Sequence, residues 1–175
     1  MPEHQISVDE ATTQSAPVAV VGVGNMLMGD DGVGVAVIRE LGKERLPRGV
    51  ELYDAGTALS DVLALIAPRA RVILVDSCRA GGTPGNVYRS RVGPDEWEAG
   101  PVGASLHEVD AVGALQLYQV AGGKLGEVVL IGVEPQEVAL RDGLSPALQA
   151  RLPAIVAAVR EEIESLAEGR RGGRE

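Results

Sequence analysis

Phenylalanine is absent from this chain of 175 residues, tryptophan occurs once and tyrosine three times. A core must therefore be assembled from Val, Leu, Ile and Ala, which suits a sheet covered by helices, and aromatic platforms for stacking nucleic-acid bases are lacking. The single cysteine, Cys78, rules out an intramolecular disulfide and fits a reducing, cytoplasmic compartment. Histidine is limited to His4 and His107, too few for a structural zinc site of the His/Cys-rich kind. No apolar run approaches the ~18 residues of a membrane span. The N-terminal stretch has neither a basic n-region nor an apolar h-region and is not read as a secretory signal. Positive charge is in deficit, 16 Lys and Arg against 25 Asp and Glu, and the net charge of -9 argues against a nucleic-acid or anionic-membrane partner. Repeats and low-complexity segments are also missing.

What remains is 45% hydrophobic, enough for one substantial core. Residues 1–16 read as a disordered N-terminal tail, 17–168 as a single α/β domain and 169–175 as a frayed C-terminal tail. Five strands are expected: Val18 to Val23, Val50 to Asp54, Arg71 to Asp76, Asn86 to Val92 and Glu127 to Val133. Helices are expected from Asp31 to Arg45, Leu59 to Ile66, Leu106 to Val120 and about Ser145 to Ala167. Strand and helix alternate over the first three strands, so the fold class is a three-layer αβα sandwich around a largely parallel twisted sheet of about five strands. Val72-Ile73-Leu74-Val75 is apolar without alternation and marks a central strand covered on both faces.

The most informative stretch is Gly22-Val23-Gly24-Asn25-Met26-Leu27-Met28-Gly29-Asp30-Asp31-Gly32-Val33-Gly34, a glycine-rich turn between the first strand and a helix. A dinucleotide loop at this place needs free backbone N–H groups and no adjacent acids, and Leu27 stands where the third glycine of G-x-G-x-x-G belongs. Asp30 suits an N-cap and Asp31 a first-turn acid favoured by the helix dipole. Asp76 ends an apolar strand, where an acid either serves the following turn or has a function. If the first three strands are parallel, Asp31, Asp54 and Asp76 gather at the carboxyl edge of the sheet, where open α/β sheets bind ligands.

Ser105-Leu106-His107-Glu108 fits a capping box and places His107 in the first turn of the third helix, where the dipole favours a neutral imidazole. Asp31, Asp76 and His107 would then form a three-ligand set for a divalent first-row metal, with positions left for water or substrate. Ser77 and Cys78 follow Asp76, but the serine lacks a G-x-S-x-G elbow and neither has a base other than His107, so Cys78 is read as a small buried hydrophobe.

These residues resemble the endopeptidases that mature the large subunit of nickel-iron hydrogenases. The resemblance is carried by Gly22-Val23-Gly24-Asn25, Leu27, Asp30 to Gly34, Asp54-Ala55-Gly56-Thr57, Val75-Asp76, Ser105-Leu106-His107 and Gly132-Val133-Glu134-Pro135, in family order from about Val18 to Leu166. It implies an αβα fold, a cytoplasmic location and removal of a C-terminal extension from the large-subunit precursor after nickel insertion. Asp31, Asp76 and His107 would contact nickel supplied by the substrate and serve the reaction, with the metal as recognition element. Asp31 stands where the family often has glutamate, and Glu108 where glutamine is commoner. Asp54, Thr57 and Glu134 are candidate substrate-binding residues. Two readings from other classes stand beside this one: a nickel-checkpoint or carrier protein holding metal through the same three residues without catalysis, and a nucleotide-binding α/β protein with Gly22 and Gly24 at a phosphate and Asp54 on a ribose.

Overall fold

The first apolar strand and the amphipathic segment after it set the pattern from which the whole architecture grows. A computed structural model describes residues 17–68, 70–93 and 106–168, with the side chains of 106–110 and 112 excepted. The expected tails, the capping serine Ser105 and the His107 side chain lie outside the described residues.

Five strands, β1 (Val18–Val23), β2 (Val50–Gly56), β3 (Arg71–Ser77), β4 (Val87–Val92) and β5 (Val128–Val133), form one sheet in the order β2-β1-β3-β5-β4. Helices α1 (Val33–Leu41), α2 (Leu59–Leu63), α3 (Leu106–Val120) and α4 (Pro146–Ala167) cover it. β1, β2, β3 and β5 are parallel, and β4 is antiparallel to β5. The direction of β4 follows from its connection. Residues 78–86 contain no helix that could return the chain to the opposite edge, so the strand starts where β3 ends.

Side-chain alternation distributes the core over both faces. Val18, Val20, Ile73, Val75, Val129 and Ile131 pack with Val33, Val37 and Leu41 of α1 and with Leu148, Ile155, Val159 and Ile163 of α4. Ala19, Val21, Val72, Leu74 and Val128 pack on the other side with Leu59, Val62 and Leu63 of α2 and Ala111 and Leu115 of α3. The expected three layers are therefore present, and the unbroken apolar runs of β1 and β3 are those of strands buried on both faces.

Helix boundaries shift from expectation at both ends of α1, which stops at Leu41 with Gly42 as its C-cap instead of running to Arg45, and at the end of α2. A 3-10 turn, Gly29–Gly32, precedes α1, which begins at Val33 instead of Asp31. α2 ends at Leu63 because the next bonds, Leu65 N–H to Val62 O and Ile66 N–H to Leu63 O, tighten the chain into i→i−3 geometry. On the edge strand β4, Arg89 and Arg91 reach α4: Arg89 lies 3.2 Å from Glu161 and 3.6 Å from Glu162, and Arg91 pairs with Glu162 and, at 2.9 Å, with Glu127. A strand edge bearing charge is protected against pairing with other chains. Among the described residues no helix is long and apolar enough to cross a membrane.

Because β1 is flanked by β2 on one side and β3 on the other, the chain leaves β1 in one direction and later crosses to the other. The carboxyl ends of β1 and β3 thus border the switch point at which sheets of this kind open a crevice.

Candidate functional site

Backbone packing brings the turn after β1 to this crevice. Gly24 has φ 128°, and a Cβ on it would fall 1.8 Å from the carbonyl oxygen of Asp31, so the chain folds back on itself there. A Cβ on Gly34 would lie 2.2 Å from the carbonyl oxygen of Val75 and 2.4 Å from that of Val23, and one on Gly22 would lie 2.3 Å from the Gly34 oxygen. Helix α1 is seated on the bare main chain of β1 and β3, and Asp31 is held above both strand ends.

Asp31, half-buried, accepts hydrogen bonds at Oδ2 from the Asn25 N–H (2.8 Å) and at Oδ1 from the Ser77 hydroxyl (3.2 Å). Asp76 is 9% exposed and accepts the Ser77 N–H at Oδ1 (2.7 Å). Ser77, considered from sequence only as a nucleophile, uses its hydroxyl to fix the orientation of Asp31; the signal that could have found it is its place at the end of β3. Asp31 and Asp76 both line a cleft of about 440 Å³. Gly24, Gly56, Thr57 and Asp61 border it, and Ala111 and Ala114 of α3 form a further wall. His107 lies one turn ahead of Ala111 in that helix. Asp61, in the first turn of α2, adds a third carboxylate that sequence reasoning missed; carboxylates lining one cleft create a potential that draws cations and repels anions. Among the described residues no three His, Cys, Asp or Glu side chains are grouped to hold a metal, and the described part of the proposed ligand set is the pair Asp31 and Asp76.

Asp30 does something other than cap its own helix. Met28 and Gly32 occupy the N-cap positions of the 3-10 turn and α1, without side-chain caps. The Asp30 carboxylate, 0% exposed, instead accepts hydrogen bonds from the N–H groups of Gln136 (2.9 Å), Glu137 (3.0 Å) and Ser145 (2.7 Å) and from the Ser145 hydroxyl (2.8 Å). Ser145 is itself the N-cap of α4. The expected cap is corrected to a clamp between the glycine-rich turn and the segment after β5.

Six N–H groups of that turn are bonded within the protein. Gly24 donates to Gly56 O, Asn25 to Asp31, Leu27 to the Asn25 side chain, Met28 to Asn25 O, Gly29 to Arg141 O and Asp30 to Glu137 O. A pyrophosphate needs such donors directed outward. The nucleotide-binding reading therefore lacks its cradle.

The candidate substrate residues separate. Thr57 is exposed on the cleft wall. Asp54 is exposed at the end of β2, accepts the Gly56 N–H (3.1 Å) and lies 3.8 Å from Arg39, a surface pair that contributes little. Glu134 is buried away from the cleft lining and accepts bonds from the Ala80 N–H (2.8 Å), the Gly81 N–H (3.3 Å) and the Tyr88 hydroxyl (2.9 Å). Burial pushes the Glu134 carboxyl up, but the bonds from Ala80, Tyr88, Gly82 and Gly81 outweigh it and hold the group below the ordinary carboxylate value. Burial and then the bond to Glu134 raise the Tyr88 hydroxyl. Cys78 is buried, as expected.

A sequence model of the family described as hydrogenase maturation protease matches residues 35–162. The hydrogenase expression/formation protein HupD of Rhodobacter capsulatus is 31% identical over 147 residues, covering 82% of this chain and 70% of that protein. The hydrogenase 2 maturation protease of Escherichia coli is 30% identical over 151 residues, covering 82% and 91%. Among solved structures, the hydrogenase maturating endopeptidase HybD from E. coli superposes with a TM-score of 0.66 at 28% identity, covering 83% of this chain and 93% of that one. A hydrogenase 2 maturation peptidase from Thaumarchaeota archaeon SCGC_AB-539-E09 gives 0.64 at 36% identity, covering 84% and 97%. A family model that spans most of the domain, and a relative 30% identical over nearly its whole length, show that the chain belongs to the hydrogenase maturation protease family.

Proposed function

We propose that this protein is a cytoplasmic endopeptidase that removes the C-terminal extension of a nickel-iron hydrogenase large-subunit precursor once nickel has been inserted. Asp31, Asp76 and His107 contact the nickel of the substrate and thereby select loaded precursor. The observation that carries this reading is that Asp31 and Asp76, separated widely in sequence, line one cleft at the switch point of the sheet in a chain of this protease family. Two carboxylates and an imidazole are donors suited to a divalent first-row ion. The spacing of positions 107, 111 and 114 in α3 supports His107 as the third donor, since i, i+4 and i+7 fall on one helical stripe and Ala111 and Ala114 border the cleft.

The Asn25 N–H and the Ser77 hydroxyl hold Asp31 in one orientation, which reduces the ordering cost when the metal arrives. Exposure of Thr57 on the cleft wall supports a role for its hydroxyl in binding an extended peptide. The test is to incubate the purified protein with nickel-loaded and nickel-free precursor and to measure intact mass. Loss of a C-terminal peptide only from the loaded sample is expected. Processing at normal rates by the His107→Ala and Asp76→Ala variants would show the assigned site to be wrong. A carrier without catalysis would bind nickel and leave the precursor mass unchanged.

A further inference from the structure

The turn that carries Asp31 also carries an exposed leucine, and a second one stands beside it. Met28 pairs in parallel with Arg141, so the preceding residues, Leu27 and Leu140, are neighbours across the same two-stranded ledge. Leu27 is 61% exposed and Leu140 85%. The ledge is firmly built: the Arg141 N–H donates to Leu27 O (2.9 Å), the Gly29 N–H to Arg141 O (3.0 Å) and the Gly143 N–H to Met26 O (3.3 Å). The Asp30 carboxylate ties the same two segments together from beneath. Two large apolar side chains are thus held in water on a main chain that cannot easily fold them away.

We propose that Leu27 and Leu140 form a docking surface for an apolar patch on the folded body of the precursor protein, outside the segment that is cleaved. This inference rests on the functional reading above and goes beyond it by naming where the substrate's body is gripped. Three observations favour that occupant. Asn25 links the ledge to the cleft, since its N–H donates to the cleft-lining Asp31 (2.8 Å) and its side-chain oxygen accepts the Leu27 N–H (3.0 Å), so a protein presenting a metal site to Asp31 passes over Leu27. The cleft carries Asp31, Asp61 and Asp76, which leaves apolar anchoring to its surroundings. A preformed apolar pair at the border of a site, fixed by hydrogen bonds, needs little ordering on association and has the character of an interface anchor.

The test compares wild type with the Leu140→Ser variant, the Leu27→Ser/Leu140→Ser double variant and a Val120→Ser control. Val120 is also 85% exposed but lies at the opposite end of α3 from the cleft. Affinity for metal-loaded and metal-free precursor is measured by biolayer interferometry, KM and kcat by mass-resolved processing, and folding by thermal melting. The expected result is a KM raised roughly tenfold or more in the double variant, with weaker binding of both precursor forms, unchanged kcat and an unchanged melting curve. Leu140→Ser shows part of the effect and Val120→Ser none. A double variant with wild-type affinity and KM overturns the ledge while leaving the protease reading intact, as does a fall in kcat at constant KM. A wild type that neither binds nor shortens the precursor overturns both, and one that binds it through the leucines without cleaving supports the ledge and sinks the reading on which it rests.

Discussion

Asp30 and Asp31 are adjacent carboxylates of the same turn, and replacing each in turn should separate holding the structure from serving the site. In Asp30→Ala, the amides of Gln136, Glu137 and Ser145 and the Ser145 hydroxyl lose their acceptor. Gln136 and Glu137 are exposed, so water can replace the carboxylate there, whereas Ser145 is buried and its two donors stay dry. At about 1–3 kcal/mol for each of these two buried unsatisfied donors, the loss is ~2–6 kcal/mol, a large part of the ~5–15 kcal/mol that holds a domain folded. For a chain of this size each kcal/mol moves the melting temperature by about 2–4 °C, so Asp30→Ala should melt roughly 4–24 °C below wild type. Asp31→Asn keeps an acceptor for Ser77 or Asn25 and sits at the cleft, so its melting temperature should stay within about 3 °C of wild type while processing of loaded precursor falls by roughly 100-fold or more. Calorimetric melting and mass-resolved processing, run on the same samples, read both quantities. An Asp30→Ala protein that melts with wild type would refute the clamp, and an Asp31→Asn protein that processes normally would refute the division of roles.

Ser77→Ala removes the hydroxyl that orients Asp31; processing measured by intact mass should drop roughly tenfold, rescued in part by Ser77→Thr. Glu134 has a folded-state pKa below its ordinary 4.5, so its contribution to stability is present above that value and is lost as pH falls through the lowered one. Denaturant melts at descending pH should therefore show a shallower loss of stability on the acid side for Glu134→Gln than for wild type. The Tyr53 hydroxyl is pushed up to about 12, first by its hydrogen bond to Glu51 (2.7 Å), then by burial and the charge of the same carboxylate. Ultraviolet titration of the phenolates should lose its highest step in Glu51→Gln, and an unchanged titration would contradict that assignment.

Continuous apolar runs made the central strands legible, because Val18 to Val21 and Val72 to Val75 answer to one constraint, burial on both faces, that leaves no position for a polar residue. The meeting of Asp31 and Asp76 was legible for a topological reason: parallel strands put their carboxyl ends on one edge. Asp30 reads as a cap in the sequence because its partners lie 106 to 115 residues away and no local pattern encodes them. The same limit hid the Ser77 hydroxyl bond, which spans 46 residues. The sequence points to a start of α1 at Asp31, two residues before the observed Val33, because a carboxylate next to a helix reads as a cap unless a distant donor claims it.

The seat of α1 on β1 and β3 constrains how such a sequence can vary. Where valines meet valines, one residue can shrink as another grows and the volume is conserved. At Gly34 the opposing atoms are all main-chain, and at Gly22 the nearest is the Gly34 carbonyl oxygen, present whatever side chain the neighbouring position carries. No second-site change can open space for a methyl group at that junction. A library randomised over the whole turn, selected only for folded protein, should therefore diversify freely at Leu27 and return a single residue at position 34.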